Sequence, residues 1–226
     1  MTFKKKELEN SKNALKSIPE ETHFTSLEDI EFIVHQNVFS PKEFFSTKWV
    51  AKVLEDVIED GVDFLEIGTG SGLISCYLAE KKKNIKVFAT DINKFAIQNT
   101  QENIRRLNLE HRVSATVSDV FDNVPMKKYD CIFWAMPFGF VEGNSNFSIL
   151  ERSVADPGYI AIDKYFSNIK KYLKDNGQGY FLWSTKLADN SRLKKILEKN
   201  SIEISEVATT SNIESNLEVD MILYKF

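Results

Sequence analysis

Cysteine, histidine and glycine are scarce in this sequence of 226 residues, and each scarcity narrows the chemistry open to it. The two cysteines, Cys76 and Cys131, stand in apolar segments with no CxxC or Cys/His spacing nearby. That pattern argues for buried thiols and against a disulfide framework or a zinc site. The three histidines, His23, His35 and His111, are scattered rather than set at ligand spacing, so no metal is expected. Positive charge is not in excess either: 29 Lys+Arg against 33 Asp+Glu leave a formal net charge of -4, which provides no general attraction for nucleic acid. The lysines at 81–83 and 170–171 read as solvated helix surface. Long apolar runs are missing as well. Nothing approaches the roughly 20 residues of a membrane helix, and the opening MTFKKKELEN lacks the apolar stretch that follows the basic start of a signal peptide. The expectation is a soluble, cytoplasmic protein without membrane or nucleic-acid partners, its oligomeric state left open.

What the sequence does have, from residue 62 onward, is alternation. Short β-rich runs at 63–67, 86–90, 112–117, 129–134 and 179–184 are separated by helical patterns at 73–82, 94–107, 158–174 and 188–199. Such alternation specifies an α/β fold with a mostly parallel sheet and helices on both faces. The ending departs from it: SIEISEVAT and EVDMILYKF follow each other with no room for a helix between, so the sheet should close with an antiparallel hairpin. Before residue 62, KKKELENSKNALKSI looks helical and IEFIVHQNVF alternates like a strand. STKWVAKVLEDVIED reads as a helix opened by the capping-type residues Ser46 and Thr47. Residues 1–60 are therefore expected to form an N-terminal extension covering the active site, and 61–226 the catalytic domain.

The nine glycines are concentrated where they matter. In DFLEIGTGSG a strand runs into Gly68, Gly70 and Gly72, a turn whose backbone can approach a ligand closely, and then into the helix LISCYLAEKKK. A dinucleotide fingerprint would place glycine at position 73, which is Leu73, so a nicotinamide or flavin dinucleotide is disfavoured. The strand KVFAT delivers Asp91 roughly 20 residues beyond the turn, where a carboxylate can accept hydrogen bonds from both ribose hydroxyls. Asp119, at the next strand end, can accept from an adenine amino group. Glu66, just before the first glycine, can orient the loop or receive the amino group of an amino-acid tail.

EIGTGSG, TDIN and VSDVF resemble the successive motifs of the class I S-adenosylmethionine-dependent methyltransferases over about residues 45–226. The resemblance implies a seven-stranded Rossmann-like methyltransferase sheet and S-adenosylmethionine as cofactor. It implies a cofactor site built from Glu66, Gly68, Thr69, Gly70, Gly72, Asp91, Ile92, Asp119 and Val120, with Ala135, Phe45 and Thr47 at its edges. The nearest group is that of the release-factor glutamine methyltransferases, in which the fourth strand ends in Asn/Asp-Pro-Pro-Tyr/Phe and binds the target amino group. Here CIFWAMPFGF aligns Ala135-Met136-Pro137-Phe138 with that motif. Proline and aromatic remain, but a methyl group replaces the polar acceptor, and an amide target would lose a partner worth on the order of 1–3 kcal/mol.

Three functions stay open on this reading. The first is methylation of a nitrogen on a small molecule or peptide side chain, with Trp134, Pro137 and Phe138 on the substrate side. The second is a cyclase or lyase that releases methylthioadenosine, with Trp134, Phe138, Phe44 and Phe45 enclosing the sulfonium. The third is a non-catalytic cofactor-binding subunit. Glu142, Glu151 and Asp156 are candidate bases. The long connection VEGNSNFSILERSVADPGY reads as a lid or binding loop, with Asn144, Tyr159 and Tyr165 within its reach of the pocket.

Overall fold

The computed structural model describes residues 21–42, 44–142, 147–214 and 217–226. The helical pattern expected before residue 21, and Asn144, lie outside the described residues. Seven strands form the central sheet: β3 (Asp63–Ile67), β4 (Lys86–Asp91), β5 (Val113–Val117), β6 (Tyr129–Ala135), β9 (Leu173–Trp183), β10 (Ser205–Glu214) and β11 (Leu217–Lys225), in the order β10-β11-β9-β6-β3-β4-β5. The first five run parallel, β11 is antiparallel to β9, and β10 is antiparallel to β11. From β3 the chain steps outward through β4 to β5, then returns to lay β6 on the other side of β3. That reversal opens a crevice beyond the carboxyl ends of β3 and β6.

The central strands are apolar on both faces because helices cover both. Among the buried residues of β3, Phe64 joins one core cluster while Leu65 and Ile67 join the other. Helix α2 (Leu73–Lys81) has seven consecutive buried residues, Leu73 to Ala79, because α1 (Phe45–Val57) covers its outer side. Helix α3 (Lys94–Arg106) is capped by Asn93, whose side chain accepts the Phe95 N–H at 3.0 Å. Its buried stripe carries three polar residues, Asn99, Thr100 and Asn103, and each spends its polar atoms on backbone. The other face holds α4 (Ile160–Asn168) and α5 (Asn190–Lys199). No helix among the described residues is long and apolar enough to cross a membrane.

Several boundaries differ from expectation. The helix expected over 158–174 ends at Asn168, passes through a 3-10 turn at Ile169–Lys171, and gives way to β9 at Leu173. Leu173 pairs with Tyr129, and residues 174–177 are then skipped before Gln178 pairs with Cys131, so the strand begins well before its apolar part. Ser46 and Thr47 do not cap α1, which starts one residue earlier with Phe44 at the cap position and no side-chain cap. A hairpin of β1 (His23–Leu27) and β2 (Ile30–Val34) precedes α1. The strand expected in IEFIVHQNVF is β2, whereas β1 carries no alternation strong enough to announce it. β8 (Ala155–Pro157), inside the connection expected as a loop, pairs in parallel with β7 (Gly139–Val141), which leads into it.

Candidate active site

A cavity of about 240 Å³ opens at the crevice between β3 and β6. The glycine turn forms its floor. All three glycines have positive φ, at 68°, 58° and 80° for Gly68, Gly70 and Gly72, but their surroundings differ. A Cβ at Gly68 would stand 2.9 Å from Trp134 Nε1, and one at Gly72 would stand 2.7 Å from Thr100 Cγ2. A Cβ at Gly70 would meet nothing within 4 Å. Gly70 is thus the glycine whose missing side chain leaves room for a ligand, whereas Gly72 starts α2 and lets α3 pack close. Gly68, Thr69 and Gly70 line the cavity and Gly72 does not.

Two carboxylates hold the turn in shape. Glu66 is buried, and its Oε2 accepts hydrogen bonds from the hydroxyls of Thr69, at 2.8 Å, and Ser75. Burial pushes its carboxyl up to about 7, against those two hydrogen bonds, which lower it. Of the two roles expected of Glu66, fixing the turn is the one with visible partners. Asp91 ends β4, with Oδ2 accepting the Gly70 N–H at 2.9 Å and Oδ1 the Asn93 N–H at 2.8 Å. Desolvation raises it to about 6. Ile92, Asp119 and Val120 complete this side of the cavity. Asp119 is half exposed and paired with Lys164 at 3.2 Å. Val120 adopts a left-handed φ of 52°, and its carbonyl accepts from Ser118 Oγ at 3.0 Å.

Trp134, Ala135, Met136, Pro137 and Phe138 form the facing wall. Ile67 and Trp134 are register partners, so the glycine turn and the 135–138 segment leave the sheet side by side. Trp134 is buried against Tyr165, with ring centroids 5.2 Å apart. Tyr165 itself is wholly buried and lies behind Trp134 rather than on the cavity wall. The Phe138 carbonyl accepts a hydrogen bond from the Tyr159 hydroxyl at 2.5 Å, and that hydroxyl accepts the Asp189 N–H at 2.9 Å. Tyr159 therefore braces the segment from beneath. Thr47 and Phe44 reach the cavity from the start of α1, together with Phe39, which stacks on Phe44 at 4.3 Å. Phe45 does not line it; its ring packs against the core, because a helix turns successive residues to different sides.

Sequence reasoning passed over Ser71, which is buried, lines the cavity and has an Oγ without a hydrogen-bond partner among the described residues. Its signal was only a serine between two glycines. Of the three candidate bases, Asp156 lines the cavity, whereas Glu142 is exposed near Arg192 and Glu151 accepts the Ser148 N–H in a surface turn. An unoccupied acceptor at Ser71, open space at Gly70 and a carboxylate at the end of β4 suit a ligand carrying ribose and an amino-acid tail.

The family model for the methyltransferase small domain matches residues 29–212. A candidate protein N5-glutamine methyltransferase of Methanocaldococcus jannaschii is 29% identical over 173 residues, covering 75% of this chain and 84% of that protein. A ribosomal protein L11 methyltransferase of Thermosipho melanesiensis is 39% identical over 132 residues, covering 58% of this chain, which spans 42% of that relative's length. Among solved structures, SMU.776, a candidate methyltransferase complexed with SAH, superposes with a TM-score of 0.64 at 15% identity over 92% of this chain and 57% of the other. With the sheet order, the glycine turn and the family match in agreement, the chain belongs to the methyltransferase small-domain family and is a class I S-adenosylmethionine-dependent methyltransferase.

Proposed function

We propose that this methyltransferase acts on a nitrogen of a small molecule or of a peptide side chain, presented in the cavity against residues 135–138. The observation that carries the reading is the register pairing of Ile67 with Trp134, which sets a cofactor-type glycine turn beside an acceptor-type proline segment. The names of two relatives, one directed at glutamine N5 and one at ribosomal protein L11, support a peptide acceptor.

Asp91 would take the ribose hydroxyls, Asp119 the adenine amino group, and Ser71 a polar atom of the tail. Ser46 and Thr47 lie in the first turn of α1, which has no side-chain cap, so its backbone N–H groups are suited to a carboxylate. When bound, S-adenosylmethionine supplies a sulfonium methyl that bonds to the acceptor's lone pair while the carbon–sulfur pair stays on sulfur, leaving S-adenosylhomocysteine. The protein's share is alignment and exclusion of water. Phe39, Phe44, Met136 and Phe138 provide apolar walls, and backbone carbonyls of 135–137 provide acceptors where Ala135 has no polar atom. In this proposal the described residues before 61 close over the site, through Phe39, Pro41, Phe44, Ser46 and Thr47.

The test is mass spectrometry after incubation with methyl-labelled S-adenosylmethionine and three kinds of acceptor: glutamine-containing release factors, ribosomal protein L11, and free amines. Label on a nitrogen of one of them is the expected result. Protein-dependent methylthioadenosine without any acceptor would replace methyl transfer by a cyclase or lyase reaction.

A further inference from the structure

We infer that Asp156 is the acceptor-side carboxylate and that the acceptor nitrogen is an amine rather than a carboxamide, an inference that rests on the nitrogen-methylation reading above. Four carboxylates among the described residues line the cavity, and three stand on the cofactor side, at the ends of β3, β4 and β5. Glu66 is tied to Thr69 and Ser75, Asp91 to the amides of Gly70 and Asn93, and Asp119 to Lys164. The fourth, Asp156, belongs to a different part of the fold. It sits in β8 opposite Phe140 of β7, the strand that continues directly from the 135–138 segment. Gly139 donates its N–H to the Val154 carbonyl at 2.9 Å, and Phe138 bridges Ala155, so Asp156 moves with that segment rather than with the glycine turn. The bracing hydroxyl of Tyr159, three residues on, reaches the Phe138 carbonyl and ties the two together again.

Asp156 is 5% exposed, and its carboxylate accepts two backbone N–H groups at the start of α4, that of Ile162 at 2.9 Å on Oδ2 and that of Ala161. Those backbone amides fix its orientation without neutralising it. Among the described residues no lysine or arginine lies within ion-pair distance of it; Arg152, which lines the same cavity, lowers its carboxyl through space and Asp119 raises it. Burial raises its carboxyl to about 6, so near neutral pH it is mostly ionised yet able to hold a proton.

The chemistry of the 135–138 segment then selects the acceptor. A carboxamide nitrogen carries no charge and needs neutral acceptors, such as the polar side chain that Ala135 lacks. An ammonium needs a negative partner, and must also give up a proton before its lone pair is available. Asp156 meets both needs: the carboxylate holds the ammonium by a charge-assisted hydrogen bond and accepts its proton, which returns to solvent after the methylated amine departs. Phe138, Met136 and Leu182, which line the same cavity, make it apolar enough to limit water's competition for that carboxylate.

The test uses calorimetry with two S-adenosylhomocysteine analogues in which nitrogen replaces sulfur and carries a short arm of equal length, ending in a primary amine or in a carboxamide. The wild-type protein is expected to bind the amine arm at least about tenfold more tightly than the carboxamide arm. Asp156→Asn is expected to abolish that preference, with S-adenosylhomocysteine bound within about twofold of wild type, while Glu142→Gln keeps the preference. Asparagine still offers an oxygen to the Ile162 N–H, and a thermal-unfolding curve matching wild type checks that the fold is kept. A carboxamide preference, equal binding of the two arms, or an amine preference that survives Asp156→Asn overturns the inference and leaves nitrogen methylation standing. If S-adenosylhomocysteine itself fails to bind, both readings fall.

Discussion

A methyl group at position 72 would stand 2.7 Å from Thr100 Cγ2 and 3.1 Å from its Cα, whereas one at position 70 would project into open space. Both positions have positive φ, so alanine is strained at either by about 1–3 kcal/mol. Gly72→Ala adds a collision between α2 and α3, so it should lower stability by more than Gly70→Ala does, as read from urea midpoints. Gly70→Ala should instead cost at least about tenfold in S-adenosylhomocysteine affinity, because the new methyl group occupies the ligand's side of the turn. A second residue-scale prediction concerns Glu66, whose carboxyl lies near 7 in the folded protein against an ordinary 4.5. Below about 4.5 both folded and unfolded chains hold the proton, and nothing is lost. As pH rises toward 7 the unfolded chain releases it first, so the folded state is destabilised progressively, by up to about 3 kcal/mol. Glu66→Gln should therefore be more stable than wild type at pH 8, and the advantage should vanish near pH 4, in parallel denaturation curves. The glycine turn and Asp91 were legible in the sequence because each is a local pattern at a strand end. The separate duties of Gly70 and Gly72 were not, since they depend on Thr100, which approaches only when α3 folds back.

At the level of elements, the connection between β6 and α4 shows where reading from sequence stops. The length of residues 141–159 marked them as a lid or binding loop, yet they hold β8, which pairs in parallel with β7 at their start, three residues each, too short for any periodicity to appear. Helix α4 was overextended for a related reason: KKYLKD continues a helical pattern, but Leu173 is claimed by Tyr129 across the sheet, and tertiary pairing overrides local preference. The main strands and the closing hairpin were legible because each buries a run of side chains that alternation or continuous apolarity announces. What locks β7, α4 and α5 together is one buried hydroxyl. Tyr159 donates to Phe138 and accepts from Asp189, and its left-handed backbone, φ 56°, is held by packing on Phe140 and Trp183. Removing the hydroxyl with Tyr159→Phe leaves a buried carbonyl and a buried amide without a partner. The expected loss is about 2–4 kcal/mol by chemical denaturation. S-adenosylhomocysteine affinity should change little, because the glycine turn is untouched.

Across the whole molecule, the N-terminal hairpin is joined to the cofactor side of the sheet through two asparagines on α3. Asn99 accepts the His35 N–H at 2.8 Å and donates to the Ile33 carbonyl at 2.8 Å. Asn103 accepts the Ile33 N–H at 2.9 Å and divides its own N–H groups between the carbonyls of Ile33 and Ser71, each at 2.8 Å. Nothing in the sequence marks these asparagines, since polar residues on a helix normally read as its wet face; here they fill the role of a missing strand neighbour for β2. Asn103→Ala should cost about 2–4 kcal/mol in stability. It should also weaken S-adenosylhomocysteine binding, because the Ser71 carbonyl loses its donor and the turn loses a support; calorimetry alongside denaturation would separate the two effects.

The same asparagines impose an order of events on a growing chain. The backbone groups they satisfy at Ile33 and His35 lie 64 to 70 residues upstream of the side chains that satisfy them. A hairpin synthesised before α3 must wait, solvated, until α3 has emerged and wound up, and contacts of that span are slow to close. In pulsed hydrogen exchange during refolding, the amides of Ile33 and His35 should consequently gain protection together with α3 or after it, so that a hairpin preceding α3 in the chain becomes native no earlier than α3 does.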